Sequence, residues 1–112
     1  MVLYISTHCR YCLASMPFYR QIASERAAKN GGVSLLVLSR DDDTSMSALL
    51  SKEHVGIDGI VHAPPVPQLR GTPTLLLVDS AGIVRRVFEG QLAHDDEQVV
   101  LAMIRKTRVA GS

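Results

Sequence analysis

Two cysteines stand with two residues between them in Thr7-His8-Cys9-Arg10-Tyr11-Cys12, and the chain has no others. At this spacing the second sulfur can displace the first from a mixed disulfide, so the pair can move between dithiol and disulfide. The segment follows an apolar run, Met1 to Ile5, and opens a stretch of helical character. A helix N-terminus carries unpaired N–H groups and about half a positive charge, which stabilises a thiolate. The thiolate, rather than the thiol, attacks disulfides. A strand that hands a C-x-x-C to the first turn of a helix therefore points to redox chemistry. Cys9 reads as the exposed nucleophile, with a pKa below the roughly 8.5 of a free thiol, and Arg10 adds positive charge beside it. Cys12 reads as the buried resolving thiol. The plainer alternative is two ordinary buried cysteines.

The neighbouring residues are less specific. His8 can donate to the thiolate or, at acid pH, add charge beside it; it can equally be a surface turn residue. Tyr11 covers the sulfurs or bonds a substrate. Cys9, Cys12 and His8 could instead hold a soft ion such as Cu(I), which would make this a metal-binding or metallochaperone module. His54, His62 and His94 have no ligand spacing to one another or to the cysteines. Asp41-Asp42-Asp43 precedes an apolar-periodic stretch, so a helix cap is a better reading than a cation site.

The elements that must position the cysteines follow from apolar spacing. Val2-Leu3-Tyr4-Ile5 has strand-forming types and reads as a buried strand. A helix is predicted from Arg10 to Asn30, with Met16, Tyr19, Ile22 and Ala23 at helical spacing, a stop at Asn30-Gly31-Gly32, and a kink at Pro17. Val33 to Ser39 is the second strand, parallel to the first through a right-handed crossover. A short helix spans Thr44 to His54. Residues 57–70 hold three prolines and Gly59 and read as a loop, with at most a brief strand or turn at Ile60-Val61. Leu75 to Val78 is a fully buried third strand. A hairpin through Asp79-Ser80-Ala81-Gly82 leads to a fourth, edge strand from Ile83 to Phe88. A last helix runs from Asp95 or Asp96 to Arg108, with Val99, Val100, Met103 and Ile104 inward. The expected fold is α/β, in the order βαβαββα: a four-stranded mixed sheet with helices on both faces.

A chain of 112 residues, 46% hydrophobic and 21% charged, is read as one domain over 1–112, with 109–112 a frayed tail. A net charge of +1 gives no reason to expect a nucleic-acid partner. No apolar run approaches the roughly 20 residues that span a bilayer, so no membrane contact is expected from this chain itself. Met1 leads straight into the first strand, so no signal peptide is read; an upstream part of a longer protein could have held a signal or tether.

In this order, the C-x-x-C after the first strand and the Thr-Pro before the third resemble the thioredoxin fold. The detailed wording resembles the TlpA/ResA-like thiol–disulfide oxidoreductases. Cys9 to Pro17 looks like that family's C-x-x-C-x-x-x-[M/F]-P helix start. Gly71-Thr72-Pro73-Thr74 and the following Leu75 to Asp79 look like its G-T-P-T segment and strand. Ser80-Ala81-Gly82-Ile83-Val84 resembles its D-x-x-G hairpin, and Gly90-Gln91-Leu92 the approach to its last helix. The resemblance implies a thiol:disulfide oxidoreductase that exchanges disulfides with protein substrates and with a redox partner not yet identified, and that works outside the cytoplasm. It implies no cofactor beyond the Cys9–Cys12 pair. It also implies a cis bond before Pro73, the one kind of peptide bond where cis costs little, with Thr72 and Pro73 forming a substrate-binding edge. Four positions depart from the family pattern: His8 replaces Trp, Tyr11 replaces Pro, Leu3 replaces a buried Asp, and Ser15 replaces Glu. The family's N-terminal strands have no counterpart here. These losses favour a third reading, an interaction domain whose redox activity has decayed; the intact C-x-x-C opposes it.

Overall fold

Three apolar runs form the middle of the sheet: β1 (Val2–Tyr4), β2 (Leu36–Ser39) and β4 (Thr74–Val78). The computed structural model describes residues 1–28, 33–62 and 69–106. β1 lies between the other two, parallel to β2 with Leu3 opposite Val37, and antiparallel to β4 with Leu3 opposite Leu75. β3 (Gly59–His62) adds to β2 in parallel, and β5 (Val84–Glu89) adds to β4 through the hairpin. The order is β3-β2-β1-β4-β5.

The sheet therefore has five strands, where the sequence predicts four. Gly59 to His62 is too short to carry an alternating pattern, and Gly59 and the prolines that follow argue for loop although Ile60 and Val61 are strand-forming types. What makes it a strand is non-local: β2 presents a free edge, and Ile60 and Val61 pair with Val37 and Leu38.

The single helix expected from Arg10 is two: α1 (Arg10–Ala14) and α2 (Met16–Ala28). Pro17 has no N–H to return to Leu13, and the chain breaks at Ser15. The Ser15 N–H is shared between the carbonyls of Tyr11 and Cys12, both at 3.1 Å. The Ser15 hydroxyl closes on the Tyr11 carbonyl at 2.7 Å. α3 (Asp43–Lys52) is capped by Asp42, whose carboxylate accepts from the Ser45 N–H at 2.9 Å. α4 (His94–Lys106) closes the fold. The expected stop at Asn30 to Gly32, the proline segment 63–68, Arg108 and the tail 109–112 lie outside the described residues.

The expectation of helices on both faces is also corrected. By register, Leu3, Val37, Leu75 and Phe88 share one face, and they join one core with Tyr19 and Ile22 of α2, Met46 and Leu50 of α3, and Val100 and Ile104 of α4. Arg20 of α2 donates to the Glu53 carbonyl just past α3, at 2.8 Å, and Arg105 of α4 pairs with Glu25 of α2 at 2.7 Å. Both crossovers, β1 to β2 and β2 to β3, step the same way across the sheet, and right-handed crossovers in one direction put their helices on one side. On the opposite face Val2, Tyr4, Leu36, Leu38 and Leu76 are half-buried, and Val61 and Val87 are about half exposed, at 47% and 51%. On α4 the inward stripe is Val100, Leu101 and Ile104; Val99 and Met103, expected inside, are 38% and 36% exposed.

Candidate active site

Cys9 is the N-cap of α1, in extended backbone, and its sulfur accepts from the Cys12 N–H at 3.1 Å. As a thiol it donates to the Thr72 carbonyl at 3.4 Å. Cys9 is half-buried and Cys12 fully buried, and both are free thiols. Burial pushes the Cys9 pKa up, but hydrogen bonds from the Cys12 thiol, the Thr72 side chain and the backbone of Cys12 and Tyr11 outweigh it and hold Cys9 below the ordinary thiol value. Cys12 moves the other way, pushed up to about 12 first by burial and then by its hydrogen bond to Cys9. Two thiols three residues apart thus differ in acidity because one is solvated and receives hydrogen bonds while the other is desolvated and gives one. α1 has only five residues, so this polarity comes from named hydrogen bonds more than from a long helix dipole.

The Thr72–Pro73 peptide bond is cis. The loop around it is pinned on two sides. Gly90, at φ +80°, donates its N–H to the Pro73 carbonyl at 2.8 Å, and the Thr74 hydroxyl donates to the Gly71 carbonyl at 2.7 Å. Pro73 and Thr74 are buried, while Thr72 stays partly open beside Cys9.

The remaining sequence-predicted residues take distinct places. His8 is exposed, and its N–H donates to the Ser6 hydroxyl at 3.1 Å; among the described residues its ring bonds neither sulfur. Arg10 turns to Tyr11, with its guanidinium 4.9 Å from the ring centroid and 3.0 Å from the hydroxyl, so its charge is stacked on Tyr11. Tyr11 is 49% exposed. Leu3 and Ser15, two of the four departures from the family pattern, are both buried. Among the described residues no three His, Cys, Asp or Glu side chains form a metal-ligating group, and no helix is long and apolar enough to cross a membrane.

Sequence reasoning missed Asp41. The acidic run reads from the sequence as one cap, yet only Asp42 caps α3. The Asp41 carboxylate accepts from the Thr7 N–H at 2.8 Å and the Thr7 hydroxyl at 3.3 Å, while its own N–H donates to the buried Ser39 hydroxyl at 3.0 Å. It ties the turn before Cys9 to the end of β2. No spacing in the sequence links residues 7 and 41; only the parallel pairing of β1 and β2 brings them together.

No protein-family model matches the sequence, and no curated protein matches it. Solved structures do resemble it. A thiol:disulfide interchange protein of the thioredoxin family from Chlorobium tepidum TLS superposes with a TM-score of 0.70 at 17% identity, over 93% of this chain and 77% of that one. A thiol-disulfide isomerase from Corynebacterium glutamicum gives 0.71 at 19% identity, over 94% and 79%. A thio-disulfide isomerase from Thermus thermophilus gives 0.67 at 18%, over 92% and 76%. The likeness is one of fold: this chain has the thioredoxin fold, with a mixed sheet and helices.

Proposed function

We propose that the protein is a thiol:disulfide oxidoreductase that exchanges disulfides with protein substrates through Cys9 and Cys12. The observation that carries this reading is the opposed acidity of the two thiols, with Cys9 lowered and Cys12 raised while hydrogen-bonded to each other. The Cys9 thiolate attacks one sulfur of a substrate disulfide. That S–S bond breaks, a Cys9–substrate bond forms, and the departing sulfur leaves with the electron pair and takes up a proton. Cys12 then loses its proton, and its sulfur attacks the Cys9 sulfur. The second substrate sulfur leaves as a thiol, and the Cys9–Cys12 disulfide remains. Two electrons and two protons have passed to the substrate. An external dithiol restores the reduced pair by the same steps in reverse. The reaction as written uses no cofactor beyond the two sulfurs. Thr72 and Pro73 form the edge against which the substrate chain lies extended; His8, Arg10 and Tyr11 surround the sulfurs and tune access. The test is reduction of a protein disulfide by the reduced protein, with Cys9→Ser and Cys12→Ser beside it. The expected result is turnover by the wild type and none by Cys9→Ser; equal inertness of the two ends the enzyme reading.

A further inference from the structure

We propose that the hollow beside Thr72 is a substrate subsite in which Arg40 selects partners with an acidic side chain next to the disulfide. This rests on the thiol:disulfide reading above. A hollow of about 340 Å³ opens beside Thr72, lined in part by Tyr4, Ser6, Arg40, Asp41, Gly71 and Thr72. Thr72 belongs both to this hollow and to the redox pair, since its carbonyl meets the Cys9 thiol at 3.4 Å. A chain lying extended on Thr72 projects successive side chains to alternate sides, so one close to the reacting sulfur enters the hollow.

The charge in that hollow is uneven. Arg20, Arg26, Arg85 and Arg105 are each committed to a carboxylate, and Arg10 to Tyr11. Arg40 is exposed and, among the described residues, has no ion pair, hydrogen bond or ring contact. Among the described residues the one carboxylate lining the hollow, Asp41, is turned to the Thr7 N–H and hydroxyl. A guanidinium is charged at every working pH and matches a carboxylate with paired donors. Across Thr72 a second hollow, of about 220 Å³, holds Arg70 together with the exposed Glu89. No ion pair joins those two, but the exposed Glu89 offsets the charge of Arg70 there, whereas Asp41 is taken up by Thr7, so the discrimination is assigned to Arg40.

The experiment compares two disulfide peptides of one sequence, with either Glu or Lys flanking the cystine. Each rate of reduction by the reduced protein is divided by that protein's rate on a small uncharged disulfide. The wild type is expected to prefer the Glu peptide about five- to tenfold at low salt, and the preference should collapse near about 0.5 M salt. Arg40→Gln should remove the preference and Arg40→Glu reverse it. A wild type inert to the uncharged disulfide overturns the redox reading and this proposal with it. A wild type active on that disulfide but indifferent to peptide charge, or an Arg40→Glu variant with the preference intact, overturns the Arg40 assignment alone.

Discussion

Replacing Asp41 with alanine removes the acceptor that ties the turn before Cys9 to the end of β2. Two hydrogen bonds go, the Thr7 N–H at 2.8 Å and the Thr7 hydroxyl at 3.3 Å. The first is short and charge-assisted, of a class worth about 1.5–3 kcal/mol. The second is long for an O–H donor and adds little. The site is only part-buried and water can take up the freed N–H, so a loss of about 1–2 kcal/mol is expected. At about 4 °C per kcal/mol for a domain of 112 residues, Tm should fall by about 4–8 °C. Asp41→Asn keeps an oxygen for the Thr7 N–H and gives up only the charge, so it should cost about 0.5 kcal/mol. The same pair of variants reports on the site. Cys9 lies two residues beyond Thr7, and its own N–H is held to the Ser6 carbonyl only at 3.4 Å. With the tether gone, Cys9 is positioned less well, and the first exchange step should slow by about tenfold in the alanine variant and much less in the asparagine variant. Thermal melts and stopped-flow exchange with a fixed disulfide measure both. If the two variants melt together and exchange alike, Asp41 does not act through Thr7 and the reasoning is wrong.

Three further outcomes are expected. Asp58 is held below the usual carboxylate range by the Leu35 N–H at 2.7 Å, against some desolvation, with Arg26 adding to it. A lowered folded pKa gives stability that is present above the ordinary carboxylate value and lost as pH falls through the folded one, so Asp58→Asn should flatten the acid limb of a Tm-versus-pH curve below about pH 4. Cys12 has the opposite sign: raised to about 12 from the ordinary 9.0, it gives stability present below pH 9.0 that is lost as pH rises toward 12. The difference in Tm between the wild type and Cys12→Ala, both reduced, should therefore shrink over that interval. On α4, Ile104→Ala should cost about 2–5 kcal/mol in urea unfolding, while Val99→Ala, on the open side, should stay within about 0.5 kcal/mol.

What the sequence disclosed follows from what kind of signal each feature leaves. The C-x-x-C, Pro17 and Gly71-Thr72-Pro73 are local and chemically restricted, and they announced both the fold and the cysteine site. The apolar runs at Leu3, Val37 and Leu75 placed the central strands because continuous apolar residues have no polar side to show. β3 was half legible: Ile60-Val61 allowed a brief strand or turn, but what makes it a fifth strand of the sheet lies on β2. The one-sided helical layer was hidden for a related reason. A strand apolar on both faces says that both are shielded from water, but not by what, and no described helix covers the half-buried Val2, Tyr4, Leu36 and Leu76. The split of the first helix was half legible: Pro17 gave the disturbance, while the break at Ser15 depends on where the Ser15 N–H and hydroxyl find carbonyls. Asp41 left no sign, since a run of three aspartates looks the same whether one or two of them cap a helix.

The two departures at Leu3 and Ser15 bear directly on the second exchange step, in which Cys12 must lose a proton with neither position offering a carboxylate. Three causes raise the Cys12 pKa: burial, its hydrogen bond to Cys9, and the charge on Cys9. The second and third exist only while Cys9 is a thiolate. Once Cys9 is joined to a substrate sulfur it carries no charge and no longer draws the Cys12 hydrogen, and the Ser6 backbone and the Thr72 side chain, which favour the Cys12 thiolate, act with less opposition. The pair therefore relaxes its own brake at the moment the second sulfur is needed. Burial remains, so the Cys12 thiolate stays a minor species, and the decay of the mixed disulfide should accelerate with pH across the neutral range without levelling. A trapped mixed disulfide, quenched in acid at intervals and weighed by mass spectrometry, reports that rate. A plateau between about pH 6 and 8 would mean that a dedicated base with its own pKa in that range takes the proton, and the account based on the two sulfurs alone would fail.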